Sequence, residues 1–222
     1  MRLESVSLIT FDCYGTLIDW ENGMLAVLRP LLSRNGSKVS DLQILELYGE
    51  IEAELESGPY LPYRQILAKT AQEIGGRLGV KVSAEEGRAL AASLMSWKPF
   101  ADTVPALQSL AKRFRLGIIS NVDDDLFAET RKKLSPVGFD FAVTAQQMRS
   151  YKPAQRNFEE AMRRSGLGKD QILHAGQSLY HDIAPQCVRH SQCLGKPAFN
   201  QTRIGSSAAR NGNAGLSSQH AG

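Results

Sequence analysis

Four polar stations in the chain could do chemistry together: Asp12 with Tyr14 and Thr16 in FDCYGTL, Ser120 and Asn121 in ISNVD, Lys152 in SYKPAQ, and Gln177 and Asp182 in GQSLYHD. A carboxylate can act as a covalent nucleophile, and a lysine within about 4–6 Å keeps it ionised by lowering its pKa. Ser120 and Asn121 add hydrogen-bonding groups and Asp182 a second carboxylate to the set. Taken singly, each station has a plain structural explanation. Asp and Gly favour turns, Ser120 to Asp123 reads as a helix cap, Lys152 as a solvated loop lysine and Asp182 as another cap. Their position relative to the strands argues for a shared role.

The elements that must position them follow from periodicity. Val6 to Phe11 reads as a buried strand stopping at Asp12. Between Trp20 and Trp97 the segments LAVLRPLL, LQILELYGEIEAELE, YRQILAKTAQEIGGRLG and AEEGRALAASLMSW space apolar residues by three and four. They predict four consecutive helices with no strand between them. After Pro99 the rhythm alternates: helix Val104 to Arg113, strand Leu116 to Ile119, helix Asp124 to Leu134, strand Phe141 to Thr144, helix Asn157 to Arg164, strand Ile172 to Ala175. Alternation of this kind predicts a parallel sheet with crossover helices. Ligands of such sheets bind beyond the carboxyl ends of the strands, which is where all four stations fall.

Composition narrows the function classes. The 222 residues are 42% hydrophobic and 22% charged, as in soluble globular proteins. The formal charge of +3 comes from 26 basic against 23 acidic residues, with no long basic block, so nucleic acid is not an expected partner. Cys13, Cys187 and Cys193 make neither a disulfide framework nor a zinc pattern, which favours a reducing, cytoplasmic setting. No apolar run approaches the length of a membrane span.

An Asp ending the first strand, a Ser after the second, a Lys before a helix and an Asp after the fourth strand resemble the haloacid dehalogenase-like (HAD) hydrolase superfamily. FDCYGTL is a fairly specific marker, SN and YKP reinforce it, and the similarity runs from about Ser5 to Pro185. The resemblance implies an α/β fold: a three-layer Rossmann-like parallel sheet core over 1–19 and 98–185, with an inserted α-helical cap subdomain over 20–97. Residues 186–222 depart from the family. From Thr202 on they are mostly Gly, Ser, Ala and Asn, which bury too little surface to offset ordering, so a poorly ordered tail is expected.

Tyr14 selects the branch. Phosphatases of the superfamily carry a second aspartate there as the general acid, and a phenol with a reference pKa of about 10 is a poor substitute. Tyrosine at this place is similar to the 2-haloacid dehalogenases, whose departing halide needs no proton. The resemblance then implies that Asp12 displaces halide from a small (S)-2-halocarboxylic acid and carries an ester that water hydrolyses. Lys152 would keep Asp12 charged, Thr16 would hydrogen-bond it, Ser120 and Asn121 would orient the substrate, and Asp182 would position Lys152 and water. No metal or other cofactor is implied, and a homodimer is compatible with the family. Tyr60 and Tyr63 read equally as cavity lining or as helix packing. The family's halide-receiving arginine has no counterpart between Arg34 and Arg64, where Gly49 stands near the expected place, and Phe158 replaces a family tyrosine. GQSLYHD looks like the phosphatase loop with Gln177 in place of its first acid. A magnesium-dependent phosphatase acting on a small phosphorylated metabolite, and a degenerate inactive relative, are the alternative readings.

Overall fold

In the computed structural model, which describes residues 3–34 and 36–182, the apolar run LITF forms β1 (Leu8–Phe11), buried along its whole length. That is the burial of a strand covered on both faces. It starts two residues later than the expected strand from Val6, and Leu3–Ser5 forms a short 3-10 helix ahead of it. Four helices follow: α1 (Trp20–Arg34), α2 (Asp41–Ser57), α3 (Tyr63–Arg77) and α4 (Ala84–Ser93). The remainder alternates as α5 (Thr103–Ala111), β2 (Arg115–Ser120), α6 (Asp124–Lys133), β3 (Phe141–Thr144), α7 (Ala145–Met148), α8 (Gln155–Ser165), β4 (Ile172–Ala175) and α9 (Leu179–Asp182). At four residues each, α7 and α9 are too short to leave a periodic signature.

All pairings are parallel, in the order β3-β2-β1-β4. The register aligns the carboxyl ends: Phe11 lies opposite both Ile118 and Ala175, and Ser120 opposite Thr144. The backbone N–H of Asp12 extends the ladder by one bond to the Ala175 carbonyl, 2.9 Å away. Asp12, Ser120 and the loop after β4 therefore leave the sheet at one edge. The tail expected over 186–222, with Cys187 and Cys193, lies outside the described residues. No described helix is long and apolar enough to cross a membrane.

The chain leaves the sheet for the four helices and returns along one path. Ile18 bridges Pro99, the Asp19 N–H reaches the Lys98 carbonyl at 2.8 Å, and the Thr103 hydroxyl reaches the Leu17 carbonyl at 2.9 Å. α2 and α4 each begin with a reciprocal capping box, Ser40 with Gln43 and Ser83 with Glu86. α3 begins after Pro62 without a cap of its own. Asp123, buried in the loop after β2, supplies it by accepting the Tyr63 N–H at 2.8 Å and the Arg64 N–H at 3.0 Å. The sequence suggests that this aspartate caps its own helix. Instead it anchors α3, because a buried carboxylate is stabilised by the unpaired amides of a helix start.

Gly23 marks the closest approach of α1 to the chain's return. A β-carbon there would stand 2.2 Å from the ring of Trp97, itself fully buried. Gly23→Ala is expected to cost about 1–3 kcal/mol despite alanine's better helix propensity, because the overpacked indole has nowhere to move. A lowered urea midpoint at unchanged slope measures it.

Candidate active site

Lys152 stands at the centre of the strand-end cleft. Its side chain is 1% exposed, and its ammonium contacts Asp12 Oδ1 at 2.8 Å and Asp182 Oδ1 at 2.5 Å. Burial disfavours the ammonium, but the two carboxylates more than offset this, so the Lys152 pKa stands above the usual lysine value. Burial also raises the Asp182 carboxyl, and the charge of Lys152 with the bond from His174 reverses the effect, leaving it below the normal carboxylate range. The arrangement is a charged lysine shared by two aspartates.

The other contacts fix Asp12. The Thr16 hydroxyl donates to Asp12 Oδ2 at 3.0 Å and accepts the Gln177 backbone N–H at 3.0 Å. Gly15 takes φ +97°, a left-handed value that glycine adopts without strain and that lets the chain turn under the carboxylate. Gly176 allows Asp182 to fold back toward β4, since a β-carbon there would lie 2.2 Å from the Asp182 carboxylate.

Most of the sequence candidates converge, though not in the same capacity. A cavity of about 60 Å³ is lined by Asp12, Tyr14, Ser120, Asn121 and Lys152 together with Tyr63. Ser120 is 2% exposed and its hydroxyl has no hydrogen-bond partner among the described residues. Asn121 is occupied: its Oδ1 accepts the Lys152 N–H at 2.7 Å, and its Nδ2 donates to Glu56 at 3.0 Å and to the Lys152 carbonyl at 3.3 Å. It positions the lysine loop. Gln177 is exposed, and neither it nor Thr16 lines the cavity. The Tyr14 hydroxyl turns to Thr130 at 2.9 Å. Burial, with the nearby Cys13, drives the Tyr14 pKa well above its usual value, so this phenol keeps its proton. Tyr60 stays outside the lining and stacks near Tyr151.

The sequence model of the haloacid dehalogenase-like hydrolases matches residues 6–185. The chain belongs to that family. An (S)-2-haloacid dehalogenase of Pseudomonas fluorescens is 24% identical over 181 residues, covering 80% of this chain and 79% of that one. A glyceraldehyde 3-phosphate phosphatase of Methanothermobacter thermautotrophicus is 35% identical over 91 residues, covering 39% of each chain. The solved structure of an L-2-haloacid dehalogenase from Xanthobacter autotrophicus has a TM-score of 0.68 at 19% identity, over 79% of this chain and 71% of that one, and shares the fold.

The family's phosphatase reading needs magnesium, and the residues present do not fit that ion. Hard cations take carboxylate oxygens. Here Asp12 accepts bonds from Lys152 and Thr16, and Asp182 from Lys152 and the Ser178 N–H, so a cation would have to share both carboxylates with the buried ammonium. Tyr14 and Gln177 bring no charge. Among the described residues, no three His, Cys, Asp or Glu side chains cluster in a way that would hold a metal.

Four further cavity residues escaped the sequence reading: Glu52 and Glu56 from α2, and Ser178 and His181 around the start of α9. Tyr48 and Tyr63 both donate to Glu52 Oε1 at 2.7 Å. Glu56 Oε2 meets His181 at 3.1 Å and Asn121 at 3.0 Å, so it joins α2 to the sheet-end loops. The signal available was Tyr48, Glu52 and Glu56 at intervals of four, which shares one helix face.

Burial raises the Glu56 carboxyl to about 7, with the bond from His181 partly opposing it. For His181, burial favours the neutral ring, and the bond and charge of Glu56 outweigh that, so its pKa lies above 6.5. Both folded pKa values exceed the unfolded ones of about 4.3 and 6.5, so folding takes up protons. The stability these groups contribute is complete below their unfolded pKa values and is lost as pH rises through the folded ones. Melting temperature is therefore expected to fall between about pH 5 and pH 8, by the equivalent of roughly 1–3 kcal/mol, and Glu56→Gln should flatten the slope. Thermal melts of both proteins across that range measure this.

Proposed function

We propose that this hydrolase removes halide from small 2-halocarboxylic acids through a covalent ester on Asp12. The observation that carries the reading is Lys152 held between Asp12 and Asp182 beside a tyrosine that cannot give up its proton. Asp12 attacks the halogen-bearing carbon, forming a C–O bond as the carbon–halogen bond breaks and its electron pair leaves with the halide. Water then adds to the aspartyl carbonyl, the hydroxy acid departs and the carboxylate is restored. Lys152 pairs with the nucleophile, Thr16 holds its rotamer, Ser120 meets the substrate oxygen, and Asp182 holds the lysine and orients the water. Helices α1 to α4 serve as the cap. The cavity admits only a handful of non-hydrogen atoms, given that one water needs about 10–15 Å³.

The kinship with the Pseudomonas enzyme supports this reading, as do the uncharged side chains of Tyr14 and Gln177, which give a hard cation no carboxylate. The buried, unpaired thiol of Cys13 suits a reducing cytoplasm. The test is chloride release from 2-chloropropionate by the purified chain, run beside phosphate release from p-nitrophenyl phosphate with and without magnesium. Metal-independent chloride release is expected. Magnesium-dependent phosphate release without chloride would overturn the proposal.

A further inference from the structure

The cavity carries two glutamates besides Asp12, a charge that suits a neutral substrate better than a free carboxylate. Glu52 and Glu56 line the cavity with Asp12, and the lining cations are Lys152 and His181. Lys152 is already shared by two aspartates, and His181 is paired with Glu56. No arginine among the described residues lines the cavity. A substrate carboxylate placed there shares Lys152 with two aspartates and sits beside Glu52 and Glu56, a repulsion that a neutral substrate avoids.

Three polar atoms of residues that line this cavity identify a better occupant. Glu52 accepts both of its phenol bonds through Oε1, leaving Oε2 without a partner among the described residues. Glu56 accepts its bonds through Oε2, leaving Oε1 without one among the described residues. The Ser120 hydroxyl is buried and unpartnered. Two acceptors and one donor around a small cavity complement a primary carboxamide, which presents two N–H donors and one carbonyl acceptor. An amide carbonyl also activates the neighbouring carbon for displacement, so the chemistry on Asp12 is unchanged.

We infer that 2-halocarboxamides are a further substrate class of this site and are favoured over the free acids, with Glu52 and Glu56 accepting the amide N–H groups and Ser120 donating to the carbonyl. This rests on the halide-displacing reading of Asp12. The reaction balances: carboxamide and water give hydroxyamide, halide and a proton, and the amide bond is not cleaved. Glu56, with its pKa near 7, is ionised as an acceptor in mildly alkaline buffer.

The test compares chloride release by the full chain from racemic 2-chloropropionamide and 2-chloropropionate at about pH 8, where kcat/KM for the amide is expected to be at least about tenfold higher. Glu52→Gln turns one acceptor into a mixed donor and removes its charge. The amide-to-acid ratio should then shift toward the acid by about tenfold, mainly through KM. The wild-type ratio decides the question even if that variant folds poorly. Chloride from the acid alone, or an amide used no faster than the acid, overturns the inference and leaves halide displacement standing. A folded protein that releases chloride from neither overturns both.

Discussion

Asp12→Asn is expected to abolish halide release while the protein remains folded. The amide matches the carboxylate in shape, so Thr16 and the chain turn at Gly15 can hold it in place, but its neutral oxygen cannot displace halide. Loss of at least about 10⁴-fold in kcat follows when a covalent nucleophile is removed. The stability cost is smaller, because Lys152 keeps Asp182 at 2.5 Å and loses one charged hydrogen bond, worth about 1–3 kcal/mol. A second measurement separates attack by Asp12 from direct attack by water. In a single turnover in ¹⁸O-labelled water, water adds to the aspartyl carbonyl, so the label enters Asp12 before it reaches product. The peptide carrying Asp12 should gain about 2 Da, as ester hydrolysis at the carboxyl requires. Label appearing first in the hydroxy acid would show that Asp12 is a base and not a nucleophile.

The residues legible in the sequence are those fixed by strand ends. Asp12 follows a four-residue buried strand, and its position at the sheet edge follows from the alternation of elements alone. Lys152 and Asp182 were legible for the same reason. The acidic wall was not, because α2 carries Glu46, Glu50, Glu52, Glu54 and Glu56, and its periodicity does not say which of them turn inward. Packing decides: Glu50 and Glu54 meet Arg77 on the outer side, while Glu52 and Glu56 meet Tyr63 and His181, which come from distant segments. Asp123 was misread for a similar reason. Its partners are the amides of a helix some sixty positions earlier, and no local pattern encodes that contact. Gln177 stands in the loop where a substrate contact was expected, yet the turn at Gly176 directs only its backbone to the site, through Thr16.

Lys152→Met should damage the protein more broadly than the loss of the nucleophile does. The substitution leaves Asp12 and Asp182, 8% and 2% exposed, facing one another without the ammonium that reaches both. Breaking a buried ion pair from one side costs about 3–5 kcal/mol, a large share of the 5–15 kcal/mol that holds a typical domain folded. One carboxyl must then take up a proton. The nucleophile also loses its paired cation, so halide release should fall by at least about 10³-fold. The double variant Lys152→Met with Asp182→Asn separates the two roles. Removing the stranded second carboxylate should restore most of the stability, because the remaining charge no longer faces a like one, while activity stays low for want of the ammonium. Melting curves and chloride release on the wild type, both single variants and the double variant complete the cycle. Strictly additive stabilities would mean that Asp182 and Lys152 do not interact, and the lysine could not then be what holds the two carboxylates charged.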